Sequence, residues 1–227
     1  MKKFKTYWDY LVRGNSLYQM GALSHRTYLL DLLKELGVKS ILDVGCGTGP
    51  IYDLVTGTLE DIPNEKEGFI ETRQKWDFVY KGTDYSEGMI ESCKHNFPDG
   101  DFEVEDMRDL KEKDDSWDCV LLMHALDHVD DYVKSIQEAT RVAKKYVLIV
   151  LWRGLNYNDH AENNLNDRNR YGREEGEPDW EDTHLQDFAW KPLKKAFDDA
   201  GLKVILKKDD KEINKEGRYN TIILLEK

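Results

Sequence analysis

The decapeptide Ile41-Leu42-Asp43-Val44-Gly45-Cys46-Gly47-Thr48-Gly49-Pro50 constrains this chain more than any other segment. A short apolar run passes directly into glycines at positions 45, 47 and 49. The run reads as a strand and the glycines as a tight turn, because glycine has no Cβ and accepts positive φ without strain. A strand that leaves through such a turn into a helix lines a crevice with backbone N–H groups at the carboxyl edge of a sheet, where open α/β folds hold their ligands. The spacing narrows the choice of ligand. A dinucleotide fingerprint needs G-x-G-x-x-G and an acid about 20 residues further on. Here Pro50 stands where the third glycine belongs, and the acid that closes the next apolar strand, Asp84, lies much further along.

The rest of the chain alternates helical and strand patterns, which specifies an α/β fold with a mainly parallel sheet covered on both faces. Leucines at 29, 30, 33 and 36 recur at helical spacing and Gly37 follows them, so residues 24–36 are expected to be helix. Strands are expected at 40–44, 78–83, 101–104, 117–123 and 146–152. Helices are expected after the glycine turn (50–59), behind Ser86 (86–96) and over 131–144, where Val133, Ile136, Ala139 and Ala143 share a face. Beyond strand five, residues 153–182 are rich in Asn, Asp, Glu, Arg and Gly; a connection of that length usually serves function or lacks fixed structure. A helix over 188–200, stopped by Gly201, then precedes apolar runs at 202–206 and 221–225 that read as an antiparallel hairpin at a sheet edge, joined by a charged stretch.

Composition excludes several partners. With 45 acidic against 33 Lys and Arg residues in 227, the net charge is -12, which repels phosphate backbones and anionic lipid at long range. No apolar stretch approaches the roughly 20 residues of a membrane span. The basic start, Met1-Lys2-Lys3-Phe4-Lys5, lacks a signal-type apolar core, so a cytoplasmic location is expected. Cys46, Cys93 and Cys119 show neither C-x-x-C nor zinc spacing and read as buried free thiols, with no metal site.

In this order the motifs resemble the class I S-adenosylmethionine-dependent methyltransferases. The segment Asp43-Val44-Gly45-Cys46-Gly47-Thr48-Gly49 is similar to the first motif of that family, and Asp84 in Gly82-Thr83-Asp84-Tyr85-Ser86 to its ribose-binding acid. Glu105-Asp106-Met107 resembles the adenine-binding segment, Trp117–Met123 with Leu126-Asp127-His128-Val129 the fourth strand and its turn, and Ala200-Gly201-Leu202 the approach to strand six. The resemblance implies a Rossmann-like three-layer α/β sandwich whose seven-stranded, mostly parallel sheet has the order 3-2-1-4-5-7-6, with strand seven antiparallel. It implies one domain over 1–227, with 1–37 as a helical lid and 153–187 as a cap over the acceptor site. The implied cofactor is S-adenosyl-L-methionine, leaving as S-adenosyl-L-homocysteine. Its expected contacts are Asp43, Gly45, Cys46, Gly47 and Gly49 of the turn, Asp84 at the ribose, Tyr85, Asp106 and Met107 at the adenine, Met123 at the end of strand four, and Tyr18 and Arg26 from the N-terminal segment.

Methyl transfer from a sulfonium is a direct displacement, and alignment with exclusion of water can supply on the order of 7–11 kcal/mol. A hydroxyl acceptor also needs a base. His124 and His128, just beyond strand four, are the candidates, since an imidazole with a reference pKa of about 6.5 suits the task near neutrality. Asp127 could orient or assist, while Trp152 and Arg153, at the end of strand five, are expected to line the acceptor pocket. The Asp/Asn-Pro-Pro-aromatic motif of amino-DNA methyltransferases and the Pro-Cys pair of cytosine C5 enzymes are both absent. A small-molecule acceptor is therefore expected. The stretch Arg141–Ile149 is also similar to methyltransferases of surface-sugar biosynthesis, which adds a saccharide hydroxyl as one possibility. A cofactor-binding module without catalysis and a nicotinamide-dependent oxidoreductase are the alternatives.

Overall fold

The structure is a computed structural model that describes residues 24–56, 76–152, 154–158, 164–167, 184–210 and 220–227. Tyr18 and Arg153 lie outside the described residues, as does most of the polar segment after strand five. In chain order the elements are α1 (Ser24–Glu35), β1 (Ser40–Val44), α2 (Pro50–Thr56), β2 (Val79–Asp84), α3 (Glu87–Asn96), β3 (Phe102–Val104), β4 (Trp117–Met123), α4 (Tyr132–Val142), β5 (Ala143–Leu151), β6 (Asn164–Asp167), β7 (His184–Asp187), α5 (Trp190–Asp199), β8 (Lys203–Asp210) and β9 (Asn220–Glu226). A short 3-10 turn, Leu126–His128, follows β4.

The main sheet has seven strands in the order β3-β2-β1-β4-β5-β9-β8. β1 to β5 pair in parallel, while β9 runs antiparallel to both β5 and β8. With β8 and β9 as the sixth and seventh strands, this is the expected order. Side-chain alternation along the central strands assigns the two faces. Tyr146, Leu148 and Val150 of β5 join Ile41 and Leu121 against Leu29, Leu30 and Leu33 of α1, Ile51 of α2 and Ile90 of α3. Val147, Ile149 and Leu151 join Leu42 and Leu122 against Ile136 and Ala139 of α4 and Leu193 and Phe197 of α5. Both faces of β5 are therefore dry, which is why its sequence reads as a continuous apolar run.

Polar clamps hold the strand ends. Asp118 Oδ2 accepts from the N–H groups of Lys39 (2.9 Å) and Ser40 (3.1 Å), and Ser40 Oγ accepts from Asp118 N–H, so the starts of β1 and β4 are fixed together. Ser86 Oγ caps α3 at Met89 N, and Asp131 caps α4 at Lys134 N. Arg141 of α4 donates to the carbonyls of Leu110 and Glu112, each at 2.8 Å, and so holds the β3–β4 connection on the helix.

Three expectations need correction. Ala143 opens β5, in register with Trp117 of β4, and does not extend α4; Val133 lies exposed in the first turn of that helix. β8 continues past the apolar residues to Asp210, because its backbone ladder with β9 runs through Lys207↔Ile223 and Asp209↔Thr221. An edge strand carries charge readily, since one side of it is solvated. The long segment after β5 was expected without regular structure, yet β6 and β7 form a two-stranded antiparallel ladder, and β7 lies against the 3-10 turn.

Leu148 is fully buried at the centre of β5. Leu148→Ala should cost about 2–5 kcal/mol, read as a lower denaturant midpoint at an unchanged m-value.

Candidate functional site

The glycine turn is bolted to the end of β2. The carbonyl of Thr83 accepts from Gly45 N–H at 2.7 Å and from Cys46 N–H at 2.9 Å. One residue on, the Asp84 carboxylate spans two elements: Oδ2 accepts from Gly47 N–H and Oδ1 from Ser86 N–H, each at 2.9 Å. The plane of this half-buried acid is thereby set by backbone from both sides. The turn requires its glycines for different reasons. Gly45 has φ +78°, and a Cβ there would lie 2.4 Å from the Cβ of Ala125, so the turn packs directly on the chain two residues past β4. Gly47 has φ +57°, and nothing lies within 4 Å of where its Cβ would be. That side of the turn is open.

Asp43 sits beneath the turn, 1% exposed. Tyr80 Oη donates to its Oδ2 at 2.6 Å. Burial pushes the Asp43 carboxyl up to about 6, while the Tyr80 hydrogen bond and the charge of Arg26 pull it back. Arg26, from α1, is buried as well; desolvation lowers its guanidinium to about 10, and Asp43 and Tyr80 oppose that fall. The structure thus draws Arg26 toward Asp43, coupling α1 to the underside of the turn. Cys93 Sγ donates to the Gly47 carbonyl at 3.1 Å, and burial, followed by the neighbouring Cys93, raises the Cys46 thiol. Cys46, Cys93 and Cys119 are all buried free thiols.

Next along the carboxyl edge, Asp106 follows β3. Arg108 grips it from Nε (2.9 Å to Oδ1) and Nη2 (2.7 Å to Oδ2), and the Arg108 N–H adds a bond to Oδ1. Burial alone would raise Asp106, but these bonds win and hold it below the usual carboxylate range. Arg108 Nη1 reaches Asp130 at 2.7 Å, linking the segment to the start of α4. Met107 is half-buried, with its Cε 3.8 Å from the Cβ position at Gly45, and Tyr85 is 52% exposed beside Asp84. Asp84, Tyr85, Gly47, Asp106 and Met107 therefore ring one edge of the sheet.

Met123, the last residue of β4, is buried, and beyond it His124 takes φ +54°, with its N–H bonded to the Val150 carbonyl at 2.8 Å. Positive φ is uncommon for a non-glycine residue, histidine being among those that adopt it most readily, and it ends the extended run of β4. His128, half-buried, ends the 3-10 turn. Asp127 is fully buried, and its Oδ2 accepts from Trp152 N–H at 3.3 Å, tying the turn to the end of β5. Asp127 thereby holds two loops together at the edge where His124, His128 and Trp152 lie. Among the described residues no cluster of His, Cys, Asp or Glu is suited to a metal, and no helix is long and apolar enough to cross a membrane.

Sequence patterns did not disclose Arg108 as the clamp on Asp106, Tyr80 as the donor to Asp43, or Ala125 as the small residue that Gly45 requires. Arg108 had a local signal, its position two residues after the acid. The other two depend on strand register.

A methyltransferase-domain family model matches residues 21–207. The uncharacterized 37.1 kDa protein in transposon Tn4556 of Streptomyces fradiae is 32% identical over 126 residues; the match spans 54% of this chain and only 32% of that protein. Among solved structures, magnesium protoporphyrin IX methyltransferase from Synechocystis PCC 6803 with bound SAM superposes with TM-score 0.60 at 13% identity, over 92% of this chain and 81% of that one. An S-adenosylmethionine-dependent methyltransferase from Clostridium acetobutylicum has TM-score 0.60 at 12% identity, over 97% and 98%. At such identities the likeness is one of fold.

The buried Asp43 yields a pH prediction. Its folded pKa, about 6, lies above the ordinary 3.8. The native chain therefore holds this proton more tightly than the unfolded chain, and the associated stability is complete below about pH 4 and lost as pH rises through about 6. The unfolding free energy of the wild type relative to Asp43→Asn should fall by roughly 3 kcal/mol across that window. A difference that is flat, or that rises with pH, in parallel urea titrations would contradict the assignment.

Proposed function

The chain belongs to the class I S-adenosylmethionine-dependent methyltransferases, and from that premise we propose that it methylates a small molecule, at a hydroxyl group, with His124 as the base. The observation that carries the cofactor half of this reading is the Asp84 carboxylate, fixed by two backbone N–H groups beside the open side of Gly47. The residues present fit the group. The space beside Gly47 admits close approach to backbone, and a carboxylate has about four acceptor sites with which to take the ribose hydroxyls. Tyr85 and Met107 offer an aromatic face and a polarizable thioether to an adenine ring. Asp106, oriented by Arg108, and the Met107 N–H stand ready for its polar edge. Bound there, S-adenosylmethionine supplies an activated methyl group on sulfur, with a neutral thioether as the leaving group.

The chain's own side chains supply binding, orientation and proton removal. Arg26, Asp43 and Tyr80 hold the floor of the turn, and Gly45 packs on Ala125, the residue after His124. His124 stands directly beyond β4, half-buried, with a left-handed backbone and a buried Nε2. A positioned base of this kind contributes typically about 10²–10⁴-fold. The net charge of -12 supports a small acceptor over a nucleic acid. His128 and Trp152, joined through Asp127, supply the far wall of the acceptor site.

Asp84→Ala should weaken S-adenosylmethionine binding by roughly 2–4 kcal/mol in titration calorimetry, with the thermal transition retained; unchanged affinity would remove Asp84 from the ribose site. His124→Asn keeps a residue that tolerates the left-handed backbone. It should lower transfer of labelled methyl into a metabolite fraction by about 10²-fold or more while cofactor affinity stays constant. Full turnover in this variant would show that another group, or none, takes the proton.

A further inference from the structure

Gln186 lies in β7, the strand that packs against the 3-10 turn carrying His128. It is 4% exposed, and its Oε1 accepts no hydrogen bond among the described residues. Leaving a buried amide oxygen unsatisfied is expensive, and native structures keep such groups only for a reason. Among the described residues no contact calls for an amide here. β7 already pairs with β6 through its backbone (Leu165↔Gln186), and the base of the ladder is closed by Asn156 N–H to the Phe188 carbonyl (2.9 Å) and Trp190 N–H to the Asn156 carbonyl (2.8 Å). Tyr132 at the start of α4 stacks edge-on with Phe188 at 5.3 Å, so the ladder rises from the same carboxyl edge as the methyl-transfer site. The ladder is short, two strands of four residues each, and β7 rests on the 3-10 turn.

We propose that Gln186 reads the methyl acceptor: its amide oxygen accepts a hydrogen bond from an O–H or N–H of the acceptor held between β7 and the turn bearing His128. This rests on the methyltransferase reading above and names its substrate class further, as a molecule with a hydrogen-bond donor beyond the atom that is methylated. That donor satisfies a buried oxygen that has no partner among the described residues. A site built around a polar contact of this kind rejects analogues that lack the donor far more strongly than an apolar pocket does.

The test compares the unaltered chain with Gln186→Met, a side chain of similar length and no amide. Three quantities are read: thermal midpoint without ligand, S-adenosylmethionine affinity by calorimetry, and labelled methyl transferred into the low-molecular-mass fraction of a cell extract. The expected results are a midpoint raised by about 2–4 °C, an affinity within about twofold, and transfer reduced by about tenfold or more. A lowered midpoint would make the amide a structural group, and equal transfer by both proteins would remove it from the acceptor site; either overturns the proposal. Label absent from both proteins overturns the parent reading, and this one with it.

Discussion

Four backbone N–H groups converge on two successive residues of β2, and the site depends on that convergence. Thr83 gives its carbonyl to Gly45 and Cys46, and Asp84 gives its carboxylate to Gly47 and Ser86. These bonds lock the turn after β1 and the start of α3 to the same strand end. They also explain why the turn repeats glycine: Gly45 lets the chain press on Ala125, and Gly47 leaves one side of the chain bare. In the proposed cofactor site this acid is already oriented by backbone, so binding need not order it, which preserves affinity.

Charge is arranged against this frame in layers. Below the turn, Arg26 and Tyr80 moderate a buried Asp43 that burial alone would drive further from its ionised form. Beside it, Arg108 keeps Asp106 ionised and joins β3 to α4 through Asp130. Beyond β4, Asp127 fastens the histidine-bearing turn to Trp152. An acidic chain with net charge -12 therefore brings its cations to chosen points around the crevice, and each of these acids is bonded to protein groups that fix its direction.

Much of this was legible because it is local. The strand and glycine turn, Asp84 at the end of β2, the Ser86 cap and the stop at Gly201 depend on dihedral preference or on bonds a few residues long. The hairpin of β8 and β9 was legible from two apolar runs. Other features depend on pairing across the sheet. Helical periodicity continues through Ala143, yet its register with Trp117 takes it into β5. The segment Asn164-Leu165-Asn166-Asp167 has poor strand propensity, and only its ladder with β7 makes it a strand. Tyr80 faces Asp43 because β1 and β2 pair in one register, Ile41 with Tyr80 and Asp43 with Gly82. No pattern within either strand encodes that meeting.

The most direct measurement is a crystal structure of the chain grown with S-adenosylhomocysteine. The account predicts both ribose hydroxyls within hydrogen-bond distance of the Asp84 carboxylate, the amino-acid portion passing along the bare side of Gly47, and the adenine between Tyr85 and Met107. A nucleoside bound away from Asp84, or a crevice that stays closed to the compound at saturating concentration, would contradict it.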